Sequence, residues 1–169
     1  MGRDKAFVEY AGEAMVQRVA ATLRAAGCSD VVAIGGDATA LAAAGLRCIP
    51  DEHPGEGPLG GVITALRHFA DRPAVMVVAC DLPLLRSATV TAVLSALAAA
   101  PEAGVALAVT DRPQPMCAAW RPDGVNQLEQ AFAQGERRLL TAAQRLVVAE
   151  STVPATDLAN VNTPADLHQ

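Results

Sequence analysis

Ala74-Val75-Met76-Val77-Val78-Ala79-Cys80-Asp81-Leu82-Pro83 is the stretch on which the fold turns. Its first seven residues are apolar without alternation, which is the pattern of a strand covered on both faces, as in a parallel sheet between helices. Toward the carboxyl end, the periodicity predicts a helix over 87–99, a strand over 105–109 and another over 117–120. A helix over 125–133, a helical piece over 139–145 and a short strand over 146–149 follow. Thr163 and Pro164 then supply the N-cap and first position of a terminal helix reaching 167. Toward the amino end lie a helix over 62–70, a Pro/Gly-rich loop over 50–61 and a strand over 46–49. Before these come a short helix over 37–44 ended by Gly45, a strand over 30–34 closed by Gly35-Gly36, and a helix over 13–26 stopped by Gly27. Strand–helix alternation of this kind predicts an α/β fold: a mostly parallel sheet with helices on both faces, in three layers. Ligands of such sheets bind outside the carboxyl ends of the strands, so polar residues just after strands are the ones to weigh.

The chain has 169 residues, of which 51% are hydrophobic, and no linker divides it, which predicts one domain over 1–169. A net charge of −5 with scattered basic residues argues against non-specific nucleic-acid binding. The scarcity of aromatic residues removes a stacking platform for single strands. The four cysteines, Cys28, Cys48, Cys80 and Cys117, stand far apart with no CxxC pair, so a zinc site is not expected. They read as free thiols, and no apolar run is long enough to span a bilayer; a cytoplasmic protein without a membrane partner is the expectation.

Five groups of residues could carry chemistry. Asp81 follows the most apolar strand directly, at the sheet's carboxyl edge, where a carboxylate suits a hard cation such as magnesium. The competing reading makes Asp81 a cap for the helix starting near 87, but Ser87 is better placed for that. Gly2-Arg3-Asp4-Lys5 can cradle phosphates, with Lys5 as a point charge and Arg3 as a planar donor, or can be a solvated terminus. In Asp51-Glu52-His53-Pro54-Gly55-Glu56-Gly57-Pro58-Leu59-Gly60-Gly61 the glycines let backbone amides approach an anion ahead of a helix N-terminus. An ordinary surface turn is the alternative there, and His53 reads as a loop residue. Arg137 and Arg138 are either an anion clamp or a solvated face. Asn160 and Asn162 lie on one side of an extended segment, where Asn162 can bind a ribose, a pterin edge or a metal-bound water, or simply hold the turn.

Taken in order, Met1-Gly2-Arg3-Asp4-Lys5-Ala6, Gly57-Pro58-Leu59-Gly60-Gly61, Cys80-Asp81-Leu82-Pro83, Gly135-Glu136-Arg137-Arg138 and Asn160-Val161-Asn162-Thr163-Pro164 resemble the molybdenum cofactor guanylyltransferase family, the MobA-like NTP transferases. The resemblance runs from one end of the chain to the other. It implies a Rossmann-like fold of the nucleotide-diphospho-sugar transferase type, GTP as co-substrate, Mg2+ as cofactor, and molybdenum-loaded molybdopterin as acceptor. Proteins that deliver molybdopterin, or molybdoenzymes that accept the finished cofactor, are the implied protein partners. By position, Lys5 resembles the family's triphosphate-binding lysine, Asp81 its magnesium ligand and Asp51 its nucleotide-contacting aspartate. Gly57, Pro58, Leu59 and Gly60 match its loop, while Arg137, Arg138, Asn160 and Asn162 fall on the pterin side.

The sequence departs from the family pattern at two places. The family begins with a strand and a Leu-Ala-Gly-Gly-x-x-x-Arg-Met-Gly loop, and Met1-Gly2 matches only the end of that loop, which implies weak GTP binding by these residues alone. After the strand ending at Ile34 the family often has an asparagine, where this chain has Gly35-Gly36-Asp37. The implied reaction is attack by the terminal phosphate of molybdopterin on the α-phosphorus of GTP with release of pyrophosphate. Its rivals are a cytidylyltransferase on the same acceptor and a non-catalytic nucleotide-binding remnant. A NAD-binding Rossmann protein is disfavoured, since no GxGxxG follows a strand. A sugar-nucleotide pyrophosphorylase would need a longer sugar-binding region.

Overall fold

A computed structural model describes residues 5–159. Gly2, Arg3, Asn160, Asn162 and the expected terminal helix lie outside the described residues, and nothing is described of the Lys5 side chain.

The described residues open with a 3-10 turn at Lys5–Phe7 and a small hairpin, β1 (Glu9–Tyr10) and β2 (Glu13–Ala14). Ala11 and Gly12 turn the hairpin at φ 51° and 82°. The hairpin takes up the start of the helix expected from residue 13, so α1 runs over Met15–Ala25. Next come β3 (Val32–Ile34), α2 (Ala38–Ala43) and β4 (Arg47–Ile49), with β3 and β4 paired in parallel. Asp37 caps α2, its Oδ1 accepting from the Thr39 and Ala40 amides at 2.9 and 3.1 Å.

The second half is α3 (Pro58–His68), β5 (Val75–Val78), α4 (Ser87–Ala99), β6 (Val105–Val109), β7 (Pro113–Trp120), α5 (Val125–Ala133), α6 (Leu139–Ala143) and β8 (Val148–Thr152). Its sheet has the order β5-β7-β6-β8. The strand β7 is antiparallel to both neighbours, while β6 and β8 are parallel. The sheet is therefore parallel but for β7, which a short turn returns from β6; the Thr110 amide donates to the Arg112 carbonyl across it at 3.1 Å.

The strand at 117–120 proves longer than expected because β7 accommodates Pro113 and Pro115, residues that normally argue against a strand. Val109 pairs with Pro113 and Ala108 with Gln114, but Leu107 pairs with Ala118, so Pro115 falls in the irregularity between these registers. Alternation along β6 and β7 divides the core into two layers. Val105, Leu107, Ala118 and Trp120 pack with α3, α5 and α6 side chains such as Ile63, Leu66 and Leu128. Ala106, Ala108, Cys117 and Ala119 pack on the other face with Val90, Val93 and Leu97 of α4 and Val19 and Leu23 of α1. Small residues on that face let α1 and α4 lie close to the sheet. The expected three-layer α/β sandwich follows from this alternation.

Three further expectations shift. Helix α4 includes Ser87 as its first residue, and its N-cap is Arg86, which makes no side-chain cap hydrogen bond. The strand placed over 146–149 runs later, as Val148–Thr152, because the Leu146 side chain would lie 3.1 Å from a Cβ at Gly104 and is packed against that glycine and Gly124. Helix α3 begins at Pro58, four residues before the expected start, so Gly60 and Gly61 belong to the helix and not to the loop.

Candidate functional site

The carboxyl ends of β3, β4 and β5 and the amino end of α3 meet at one cavity of about 750 Å3; Gly35, Gly36, Asp51, Gly57, Pro58 and Asp81 all line it. Asp81 and Pro58 also border a second, smaller cleft together with Gln114 and Leu158. The structure thus gathers Asp51, Gly57 and Pro58 at the head of α3, and Asp81 about one opening, while Leu59 is fully buried in the core and, like Gly60, does not line it.

Each is held by local chemistry. Asp51 leaves β4 half-buried. Its Oδ1 accepts from the His53 amide at 2.9 Å and from the Thr64 hydroxyl at 3.2 Å. The Thr64 hydroxyl oxygen itself accepts from the Glu52 amide at 3.1 Å and lies 3.0 Å from the Gly60 carbonyl. Thr64 is 2% exposed, so a helix residue beneath the loop sets where the carboxylate points. Gly57, at φ 86°, is the N-cap of α3, and Pro58 stands at the first helical position. No side chain caps this helix, and Gly57, Pro58 and Gly61 at its amino end line the opening, an arrangement suited to an anion. Gly60 has a packing reason: a Cβ there would lie 2.6 Å from the His53 Cβ. His53 is the loop residue expected, its ring tilted against Phe132 at 4.5 Å.

Asp81 is half-buried and takes part in no hydrogen bond or ion pair among the described residues. It does not cap α4, which starts six residues later. The turn that carries it is anchored by Leu82 and Leu85, each 5% exposed. Helix α1 grips the same turn from below: Arg18 Nε donates to the Pro83 carbonyl and Thr22 Oγ1 to the Leu85 carbonyl, each at 3.3 Å. Among the described residues no group of three His, Cys, Asp or Glu side chains forms a metal cage.

Arg137 and Arg138 part company. Arg137 Nε donates to Glu56 at 2.7 Å, and its Nη1 donates to the Phe132 and Glu136 carbonyls at 2.8 and 2.9 Å. The guanidinium carbon lies 3.8 Å from the Phe132 ring centroid. Its donors therefore strap the 53–57 loop to the 135–138 turn, and its carbonyl lies 3.9 Å from where a Cβ on Gly57 would sit. The Glu136 carboxylate accepts from the Arg137 and Arg138 amides at 2.9 and 2.7 Å. The Arg138 amide, then that of Arg137 and the nearby cations hold the Glu136 carboxyl below its usual range. Arg138 is exposed beside the loop.

Thr64, Arg18 and Glu56 escape a reading of the sequence, because each acts through a partner distant in the chain. The only local signal was a threonine inside an apolar helix face, which has to satisfy its hydroxyl somewhere.

A family model described as "MobA-like NTP transferase domain" matches residues 1–147. A probable molybdenum cofactor guanylyltransferase from Chloroflexus aggregans is 35% identical over 182 residues, covering 98% of this chain and 85% of that protein. Another from Deinococcus radiodurans is 35% identical over 168 residues, with 98% and 84% covered. Among solved structures, molybdopterin-guanine dinucleotide biosynthesis protein A from Archaeoglobus fulgidus superposes with a TM-score of 0.77 at 27% identity, covering 98% of this chain and 88% of that one. A cytidylyltransferase from Thermus thermophilus, at 20% identity and a TM-score of 0.72 over 96% of this chain and 90% of that one, shares the fold. The loop at the head of α3 and the aspartate after β5 thus sit in a nucleotidyltransferase frame, and the chain belongs to the MobA-like NTP transferase family.

Proposed function

We propose that this protein transfers GMP from GTP to molybdopterin, releasing pyrophosphate and forming the guanine dinucleotide form of the cofactor. The observation that carries the reading is the convergence of Asp51, the uncapped amino end of α3 and Asp81 on one opening. Relatives named for guanylyl transfer to the molybdenum cofactor supply the substrates.

The acceptor's terminal phosphate is already ionised, so no general base is required. An acceptor oxygen forms a bond to the α-phosphorus, the bond from that phosphorus to the bridging oxygen breaks, and the electron pair leaves with pyrophosphate. The chain's contribution is position and charge. The first-turn amides of α3 receive phosphate oxygens. Asp51, fixed by Thr64 through one oxygen, offers the other to the nucleotide. Arg138 is the exposed cation on the acceptor side, and Arg137 keeps the loop in place. Asp81 fits Mg2+, which takes few protein ligands and completes its shell with phosphate oxygens and water. When bound, the ion would neutralise charge on the phosphates. Lys5 and Arg3 complete the proposed phosphate contacts, with Asn160 and Asn162 on the pterin side.

A pyrophosphate-release assay with molybdopterin and either GTP or CTP tests the proposal. GTP-dependent release that vanishes in Asp81→Ala, with the circular dichroism spectrum preserved, is the expected result. Release with CTP alone would establish the cytidylyl reading, and nucleotide binding without release would establish the remnant. Normal turnover by Asp81→Ala would overturn the metal assignment.

A further inference from the structure

A second cleft, of about 340 Å3, lies beside the first, and Asp81 and Pro58 line both. Its other walls include Leu82 after β5, the irregular first half of β7 from Gln114, and Leu158. Leu158 ends a 3-10 turn over Ala155–Leu158. The Asp81 carboxylate and the Gln114 amide stand there among apolar side chains such as Leu82, Met116 and Leu158, a lining suited to a flat ring system with a hydrogen-bonding edge. Displacement at phosphorus puts the attacking and leaving oxygens in line on opposite sides, so donor and acceptor approach Asp81 from two directions. The opening beside Asp51 and the head of α3 takes the nucleotide in the reading above. The second cleft is then the acceptor's.

A buried carboxylate one residue before Leu158 sets that wall. Asp157 is 3% exposed, and its Oδ2 accepts from the Thr89 hydroxyl at 2.6 Å. Its Oδ1 accepts from the Thr156 hydroxyl at 3.3 Å and lies 3.5 Å from Arg86 Nε. Arg86 is the N-cap of α4 and Thr89 belongs to its first turn, where the helix field favours a negative charge. The chain from β5 runs through Asp81 and Leu82 into that same helix end. One carboxylate therefore ties two walls of the cleft, Leu158 and the Asp81 turn, to one place. Among the described polar contacts of Ala155–Leu158, those to Thr89 and Arg86 are the ones that reach another element. Removing the carboxylate strands a Thr89 hydroxyl that is itself 3% exposed, so the tie is specific to an acceptor at this position.

We propose that Asp157 is a positioning residue for the acceptor: held by Thr89 and Arg86, it fixes Leu158 across from the Asp81 turn at the width that the acceptor's ring system needs. Asp157 is buried and acts through Leu158, which lines the cleft. The inference rests on the reading of the protein as a transferase from GTP to molybdopterin. It adds where the acceptor lies and what shapes its site.

Pyrophosphate release by the full chain tests it, measured with molybdopterin varied at saturating GTP and with GTP varied at saturating molybdopterin. Asp157→Ala, checked for folding by circular dichroism, should raise the KM for molybdopterin at least about fivefold and hold the KM for GTP within about twofold. Asp157→Asn keeps an oxygen for the Thr89 hydroxyl and should bring the molybdopterin KM back to within about twofold of the wild type. If Asp157→Ala does not fold, Thr89→Val, which removes the donor and keeps the shape, replaces it, with Thr89→Ser as the rescue. An unaltered molybdopterin KM in the folded variant, an equal rise in both KM values, or no rescue would overturn the inference while the transferase reading stands. No release by the wild type would overturn both.

Discussion

The two halves of the sheet region differ sharply although their strands are equally apolar. In β6 and β7, Val105 through Ala108 and Cys117 through Trp120 are each 1% exposed or less. In β3 and β5, Val32, Ala33, Ile34, Met76, Val77 and Val78 are only partly buried, although Val75 is buried. Composition does not separate the pairs of strands; neighbours do. Among the described residues each of β6 and β7 is flanked by a strand on both sides, while β3 and β5 are each flanked on one. An apolar run earns its burial from what stands beside it as much as from its helices.

The comparison can be broken most directly by mutation. Leu107→Ala, in the sealed half, should cost about 2–5 kcal/mol, whereas Val77→Ala, which lines the cavity, should cost about 1 kcal/mol or less. Urea unfolding of the two variants measures the gap, and equal losses would show that the cavity wall is packed as tightly as the centre. Next in size is the buried pair on the sealed side. Thr89 Oγ1 donates to Asp157 at 2.6 Å, with both residues 3% exposed, and Arg86 approaches the other carboxylate oxygen at 3.5 Å. Thr89→Val leaves that carboxylate short of a donor and should cost about 1–3 kcal/mol in the same assay.

Cys117 sharpens the contrast through pH. Burial pushes its thiol up to about 12, from 9.0 in the unfolded chain. The neutral thiol's contribution is complete below pH 9.0 and declines as pH rises toward about 12, because only the unfolded chain ionises in that window. Subtracting the stability of Cys117→Ala from that of the wild type should therefore give a difference that falls above pH 9.0, by at most about 1.4 kcal/mol per unit. A flat difference would mean that water reaches the thiol. The smallest effect belongs to the loop brace. Arg137→Ala should change global stability by about 1 kcal/mol or less, since its pair with Glu56 is exposed. Amide exchange in residues 53–57 should nonetheless accelerate, and unchanged exchange there would show that Arg137 does not hold the loop.

What the sequence made legible follows from the range of the forces involved. Helices α1 and α4 and the strands β5 and β6 announce themselves through local periodicity. Strand β7 hides its first half because Pro113 and Pro115 look like breakers until the neighbouring register shows where a missing N–H does no harm. The start of α3 hides behind Gly60, read as loop, when the reason for that glycine is the His53 Cβ pressed against it. At the site, the places of Asp51 and Asp81 after strands and of Gly57 before a helix were legible. Thr64 and Arg18 were not, since their partners lie 13 and 65 residues away. The separation of β3 from β5 is a property of pairing, which no single stretch of sequence encodes.

The chain contains one tryptophan, Trp120, with no exposed surface and an indole Nε1 that has no acceptor among the described residues. It sits in β7 opposite Val75 of β5 and Val105 of β6. The protein thus carries its own dye at the middle of the sealed half, where an apolar, unbonded indole emits toward the blue and loses that colour when the centre opens. Fluorescence will time the collapse of that half cleanly, and anything that happens only between β3 and β4 will pass in the dark.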